Sequence, residues 1–463
     1  MPRTIWSGLF GICLASLSLS CATGAETSSV PTSSLHARSS VVAALSAAAQ
    51  PLRGKDDDYN ALMEQVGDSR VVMLGEATHG TQEFYRERMR ITQRLIREKG
   101  FSAVVIEGDW PDSYRVNQYV RGLGRDTSAE QALSGFTRFP RWMWSNTVVR
   151  DLTQWMRSHN SALTPGSPRV GFYGMDLYSL PRSADAVIED LQALDASAAS
   201  RARTRYQGFA RYRTTPELYG LAVQNDPNEN QERAAREQLV ELQRTYNAGK
   251  NRREEWFSAL QNARVVKNAE EYYRISYGGG ESSWNLRDRH MADTLDALLA
   301  HLGTEAKPAK IVVWAHNSHV GDARHTAMGE SGEWTVGQLM RQRHAGRTFL
   351  LGFTTYSGTA LAANEWGQPG QAQRVRPALP GSFAALFHDT GIKNFLLPLR
   401  GQGDLVLSMA EPRLERAIGV VYLPQTERES HYFEARMSKQ FDAVIHIDAS
   451  NALQPLRPEI ATR

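Results

Sequence analysis

Cysteine is almost missing from this chain. Its 463 residues hold two, Cys13 and Cys21, both within the first 21 positions. The rest therefore has no disulfide framework and no thiol nucleophile. Excess charge is missing too: 53 basic side chains against 50 acidic ones leave a net charge of +3, with no basic cluster. Such a surface implies no nucleic-acid partner. The apolar core near the N-terminus, about Ile5 to Leu19, is too short to span a bilayer. Three catalytic patterns are absent: the Gly-x-Ser-x-Gly elbow of serine hydrolases, the His-Glu-x-x-His zinc helix, and the phosphate-cradling loop. What remains is the composition of a soluble globular protein, 41% apolar and 22% charged.

The first 25 residues carry one charge, Arg3, and have the layout of an export signal. Leu17-Ser18-Leu19-Ser20-Cys21 resembles the lipobox of bacterial lipoproteins; cleavage after Ala22 or Ala25 fits an ordinary signal peptide. Residues 1–21 are thus expected to direct export to the cell envelope or periplasm, with membrane attachment only if Cys21 is lipidated. Residues 22–44, rich in Ser, Thr and Ala, read as a flexible linker. Continuous patterning over 45–455 reads as one domain.

Four apolar runs organise that domain. Val71-Val72-Met73-Leu74-Gly75 leads into Glu76 and His79, and Ala103-Val104-Val105-Ile106 ends in Glu107. Val170 to Met175 ends in Asp176, and Ile311 to Ala315 ends in His316, with His319 three residues on. Helical stretches separate the runs, which predicts an α/β fold with a mostly parallel central sheet flanked by helices. Carboxyl ends of such strands are where ligands bind, so four runs ending in acids or histidines point to one pocket. Further strands are predicted near 348–354, 393–398, 404–408, 417–422 and 442–447. Residues 183–275 hold no strand and read as a helical insertion between core strands, serving as lid or scaffold.

The helix predicted from about Thr81 to Lys99 places Phe84, Ile91 and Leu95 on one stripe. Arg88 falls on the same stripe. A guanidinium on an apolar face is costly unless paired. Glu76 or Glu107 would supply the partner; the alternative is that Arg88 snorkels to solvent.

Two histidine sites, several carboxylates and an arginine can activate water in two ways. A histidine can act as general base, with a carboxylate fixing its tautomer, while an arginine or second histidine stabilises the oxyanion. Alternatively the same side chains hold a divalent metal that activates the water. His316-x-x-His319 fits either. Asp176 fits a site residue or a helix cap. Trp110, Trp144 and Trp284 offer apolar surface for a bulky substrate, or simply pack in the core. No organic cofactor is called for. A third reading is a non-catalytic envelope lipoprotein binding a ligand or haem in this pocket.

The motifs resemble those of the erythromycin esterases and their relatives. Gly75-Glu76-Ala77-Thr78-His79-Gly80 with Glu83-Phe84 and Arg88 is similar to that family's opening motif. Gly100-Phe101 with Val104 to Glu107, Phe139 to Trp144, Trp155 to Asn160 and Tyr173-Gly174-Met175-Asp176 follow in order. Arg287-Asp288-x-x-Met291-Ala292, Trp314-Ala315-His316-Asn317-x-His319, Thr335-Val336-Gly337 and Phe441-Asp442-Ala443 complete a likeness over about residues 45–455. The resemblance implies hydrolysis of an ester or macrocyclic lactone, macrolides included, without a covalent acyl-enzyme. It makes His79 the general base and carries Glu76, Arg88, Glu107, His316 and His319 over as the catalytic set, with Asp176 and Arg287 assigned to substrate binding.

Overall fold

The computed structural model describes residues 32–248, 253–278 and 282–458. Its strands, in chain order, are β1 (Gln50–Pro51), β2 (Val71–Leu74), β3 (Ala103–Asp109), β4 (Gly171–Asp176), β5 (Ile311–Trp314) and β6 (Thr348–Ala362). β7 (Gln371–Val375), β8 (Asn394–Pro398), β9 (Arg413–Arg416), β10 (Tyr432–Ala435) and β11 (Ala443–Ser450) follow. Nine form one sheet in the order β1-β8-β11-β6-β2-β5-β3-β4, with β7 paired to β6; β9 and β10 form a separate ribbon. The run from β11 to β4 is parallel throughout, and β1, β7 and β8 join antiparallel.

The apolar runs are continuous because the parallel sheet is buried on both faces. Val72 and Leu74 pack with Phe84, Ile91 and Leu95 of the helix Gln82–Lys99. Val71 and Met73, pointing the other way, pack with Leu295, Leu298 and Leu299 of the helix Ser283–Leu302. Each such side chain, fully buried, stabilises the fold by about 1.5–3 kcal/mol. β2 and β5 are neighbours, yet the chain leaves β2 toward β3 and leaves β5 toward β6. In open α/β sheets ligands bind at the carboxyl ends of strands beside such a reversal, and residues 76–79 and 316–319 follow β2 and β5 there.

Several expectations need correction. The linker expected over 22–44 gives way at Thr32 to the helix Thr32–Ala48, which is anchored by buried Val41 and Leu45. Residues 1–31, including the signal segment and Cys21, lie outside the described residues. The run at 404–408 is a helix, Gly403–Ser408: Leu405 is buried while Leu407 stands in solvent, and five residues are too few to separate the two periods. Residues 417–422 form no strand. They are extended, but they lie along the loop after β2 rather than along a sheet edge, so pairing stops at single bridges from Thr78 to Ile418 and from Ala363 to Val421. The helical insertion is wider than 183–275. Among the described residues, helices without any strand run from Leu180 to Leu302 around their own core, which includes Val187, Tyr219, Leu242 and Val266.

Candidate active site

β2 stops at Gly75 because nothing larger fits: a Cβ there would sit 2.2 Å from the Asn317 Oδ1. The following loop is stitched on both sides. Ile418 N–H donates to the Ala77 carbonyl (2.8 Å), and Leu361 and Leu453 N–H groups donate to the Gly80 carbonyl (2.8 and 2.9 Å). Gly80 has no room for a side chain either, its Cβ position lying 1.8 Å from the Leu361 carbonyl oxygen. This fixed loop holds Glu76 and His79 together. The His79 Nδ1 lies 2.9 Å from Glu76 Oε1, and Arg88 Nη2 donates to Glu76 Oε2 at 2.6 Å. Arg88 is fully buried, its guanidinium carbon 4.3 Å from the Tyr85 ring centre and 4.7 Å from that of Trp314. With Nδ1–H donated to a carboxylate already paired with arginine, His79 leaves Nε2 as its basic nitrogen. None of the described residues hydrogen-bonds to that atom.

A second cluster gathers on Arg287. Its Nε and Nη2 clamp Asp176 (2.9 and 2.8 Å), Nη2 also donates to Glu107 Oε1 (2.7 Å), and Nη1 donates to His319 Nε2 (2.8 Å). The other oxygen of Glu107 accepts the His316 backbone N–H at 2.8 Å. Burial acts to raise the Glu107 pKa, but the Arg287 guanidinium and the His316 backbone N–H outweigh it and hold the carboxyl well below the usual range. Asp176 is likewise lowered, because its pairing with Arg287 overcomes burial. The Arg287 guanidinium is raised, its carboxylate partners outweighing desolvation.

His316 bridges the clusters. Its ring centre lies 4.7 Å from that of His79. Its Nδ1 faces the Ser318 N–H (3.3 Å) and hydroxyl (2.8 Å), which leaves the proton on the buried Nε2, with the Ala77 carbonyl beside the ring. Burial, reinforced by His79, pushes the His316 pKa well down, so the ring stays neutral.

All eight residues singled out from the sequence lie in this region. The structure gives Asp176 to Arg287 as a partner rather than leaving it open to a ligand. Of the tryptophans, Trp284 stacks on His319 (ring centres 4.3 Å apart, planes at 8°). Trp144 donates to the Glu107 carbonyl oxygen at 3.1 Å from beneath β3. Trp110 is core, stacked on Tyr114 and Tyr173. Three residues were given no role from the sequence: Asp288, quoted there only within a motif, which accepts from His319 Nδ1; Tyr178, whose ring faces Arg287 at 4.9 Å; and Ser318. Its place next to Arg287 in the motif Arg287-Asp288-x-x-Met291-Ala292 was the available signal for Asp288. A metal does not fit the site. Both His319 nitrogens and both Glu107 oxygens are already engaged, a guanidinium supplies the central positive charge, and no three metal-capable side chains converge among the described residues.

Asn317 braces the site from behind, donating to the Phe353 carbonyl (2.8 Å) and to Glu415 (3.2 Å). Glu415 is fully buried, and burial, only partly opposed by Asn317 and Gln440, pushes its pKa up to about 8. A carboxyl raised above its unfolded value stabilises the fold at low pH, and that stability is lost as pH climbs from about 4.5 toward 8. The slope is about 1.4 kcal/mol per pH unit. Glu87, raised by burial to about 7, adds to the same trend. Glu415→Gln should therefore lose less stability than the native chain between pH 5.5 and 8.5 in urea titrations. Parallel curves for the two proteins would disprove this.

The fold has counterparts. A Bacillus cereus protein of known structure superposes with a TM-score of 0.76 at 21% identity, over 91% of this chain and 99% of that one. A mutant of the erythromycin esterase EreC, in its open conformation, gives 0.64 at 15% identity over 88% and 97%. In sequence, erythromycin esterase type II of Escherichia coli is 21% identical over 85% of this chain and 93% of its own length. A putative hydrolase, YbfO of Bacillus subtilis, is 20% identical over 86% and 89%. The model of the family described as erythromycin esterase matches residues 96–450, most of the chain. The chain belongs to the erythromycin esterase family.

Proposed function

We propose that the chain hydrolyses a carboxylic ester or macrocyclic lactone with water activated by His79, without a covalent acyl-enzyme. One observation carries the reading: the His79 and His316 rings stand 4.7 Å apart, with Glu76 and Ser318 holding the two Nδ1 atoms and no side chain among the described residues bonded to either Nε2. His79 Nε2 takes a proton from water, and the hydroxide attacks the carbonyl carbon. The oxyanion is met by His316 Nε2–H and by the remaining Nη1–H of Arg287. As the tetrahedral intermediate collapses, the proton on His79 passes to the leaving alkoxide, giving acid and alcohol. Glu76, held by Arg88, fixes the tautomer of His79. The names of the relatives make a macrolide lactone the first substrate to try.

The test is incubation of purified protein with a macrolide panel and simple esters, read by mass gain of one water. In ¹⁸O-water the label should enter the product acid, and the protein should stay unlabelled and unacylated. No mass gain from any compound would refute the hydrolase reading, and an acylated protein would refute the mechanism. We also propose that the chain is exported, which mass spectrometry of the mature N-terminus decides, with lipid on Cys21 or plain cleavage as its two forms.

A further inference from the structure

Asp288 follows Arg287 on the helix Ser283–Leu302 and is fully buried. Its oxygens accept His319 Nδ1–H at 3.0 and 2.9 Å, and Oδ1 also accepts the Val336 N–H at 2.7 Å. Because the Nδ1 proton is committed, His319 Nε2 must be an acceptor, and it takes Arg287 Nη1 at 2.8 Å. Of the five guanidinium N–H groups, Asp176 takes two, Glu107 one and His319 one. One N–H, on Nη1, is left for a ligand. If the proton moved to Nε2, two donors would face each other at that short distance. The guanidinium would then turn, taking the free N–H with it. Trp284, stacked on His319, holds the ring plane but cannot choose which nitrogen carries the proton.

We propose that Asp288 is a positioning residue: it selects the Nδ1–H tautomer of His319, and through His319 it aims the free N–H of Arg287 at the substrate oxyanion. The inference rests on the hydrolase reading for its last step; the tautomer does not. In Asp288→Asn, the Val336 N–H keeps the amide oxygen and turns the amide N–H₂ toward Nδ1, which favours the opposite tautomer.

The experiment has two arms. Long-range ¹H–¹⁵N spectra of histidine-labelled protein should show His319 as the Nδ1–H form in the native chain and as the Nε2–H form in D288N. On the best substrate of the panel, D288N should lower kcat by about 10- to 100-fold with little change in KM. The same substitution in a His319→Gln background should cost less than twofold, since coupled residues are not additive. A native His319 in the Nε2–H form overturns the proposal, whether or not D288N folds. So does a D288N penalty of equal size in the H319Q background. Absence of turnover in the native chain sinks the hydrolase reading, and the spectra still judge the tautomer.

Discussion

His79→Ala is expected to lower kcat by about 10²–10⁴-fold, the usual contribution of a positioned general base, while leaving the fold in place. No neighbour can take over. His319 spends one nitrogen on Asp288 and the other on Arg287, and His316 turns its acceptor nitrogen to Ser318. The loop does not depend on the imidazole, because its hydrogen bonds to residues 351, 361, 418 and 453 are made by the backbone. Glu76 loses one hydrogen bond but keeps Arg88, so the stability cost is about 1–2 kcal/mol. Steady-state kinetics on the best substrate and thermal melts of both proteins provide the check. A variant that keeps most of its turnover would remove His79 from the base role.

What the sequence revealed, and what it hid, follows from burial. β2 to β5 were legible because a parallel sheet covered on both faces demands unbroken apolar runs, and the residues ending those runs converge because the strands share one polarity. Arg88 was legible as an anomaly, a charge on the stripe of Phe84, Ile91 and Leu95. β7, β9 and β10 were not legible: Gln371-Ala372-Gln373-Arg374-Val375 lies mostly in solvent and lacks alternation. The helix Thr32–Ala48 was obscured by its serines and alanines; Val41 and Leu45, four apart, are the buried apolar anchors among the described residues. Asp288 was hidden for another reason. A helix periodicity marks the buried face, but it does not say which partner from elsewhere in the chain meets a buried acid there.

The largest loss of stability is expected from Arg88→Met, which keeps the stem of the side chain and removes its charge. Glu76 and Arg88 are fully shielded from solvent, so the attraction between them is what offsets their desolvation. Without the guanidinium, Glu76 is a buried carboxylate facing only His79, and breaking a buried pair from one side costs about 3–5 kcal/mol. Stacking of the guanidinium on Tyr85 and Trp314 is lost as well. Glu76 then has two ways to lower its energy. It can take up a proton and cease to order His79, or it can draw a proton onto His79 and abolish the base; either way turnover falls with stability. Adding Glu76→Gln separates the two effects. The double variant removes both charges and should recover most of the stability, as replaced buried pairs do. Its activity should nevertheless stay low, because the amide that replaces the carboxylate offers His79 Nδ1 no charged acceptor. Urea midpoints and kcat for the two single variants and the double variant make the comparison. If R88M proves as stable as the native chain, the buried pair is not what holds the catalytic loop to its helix.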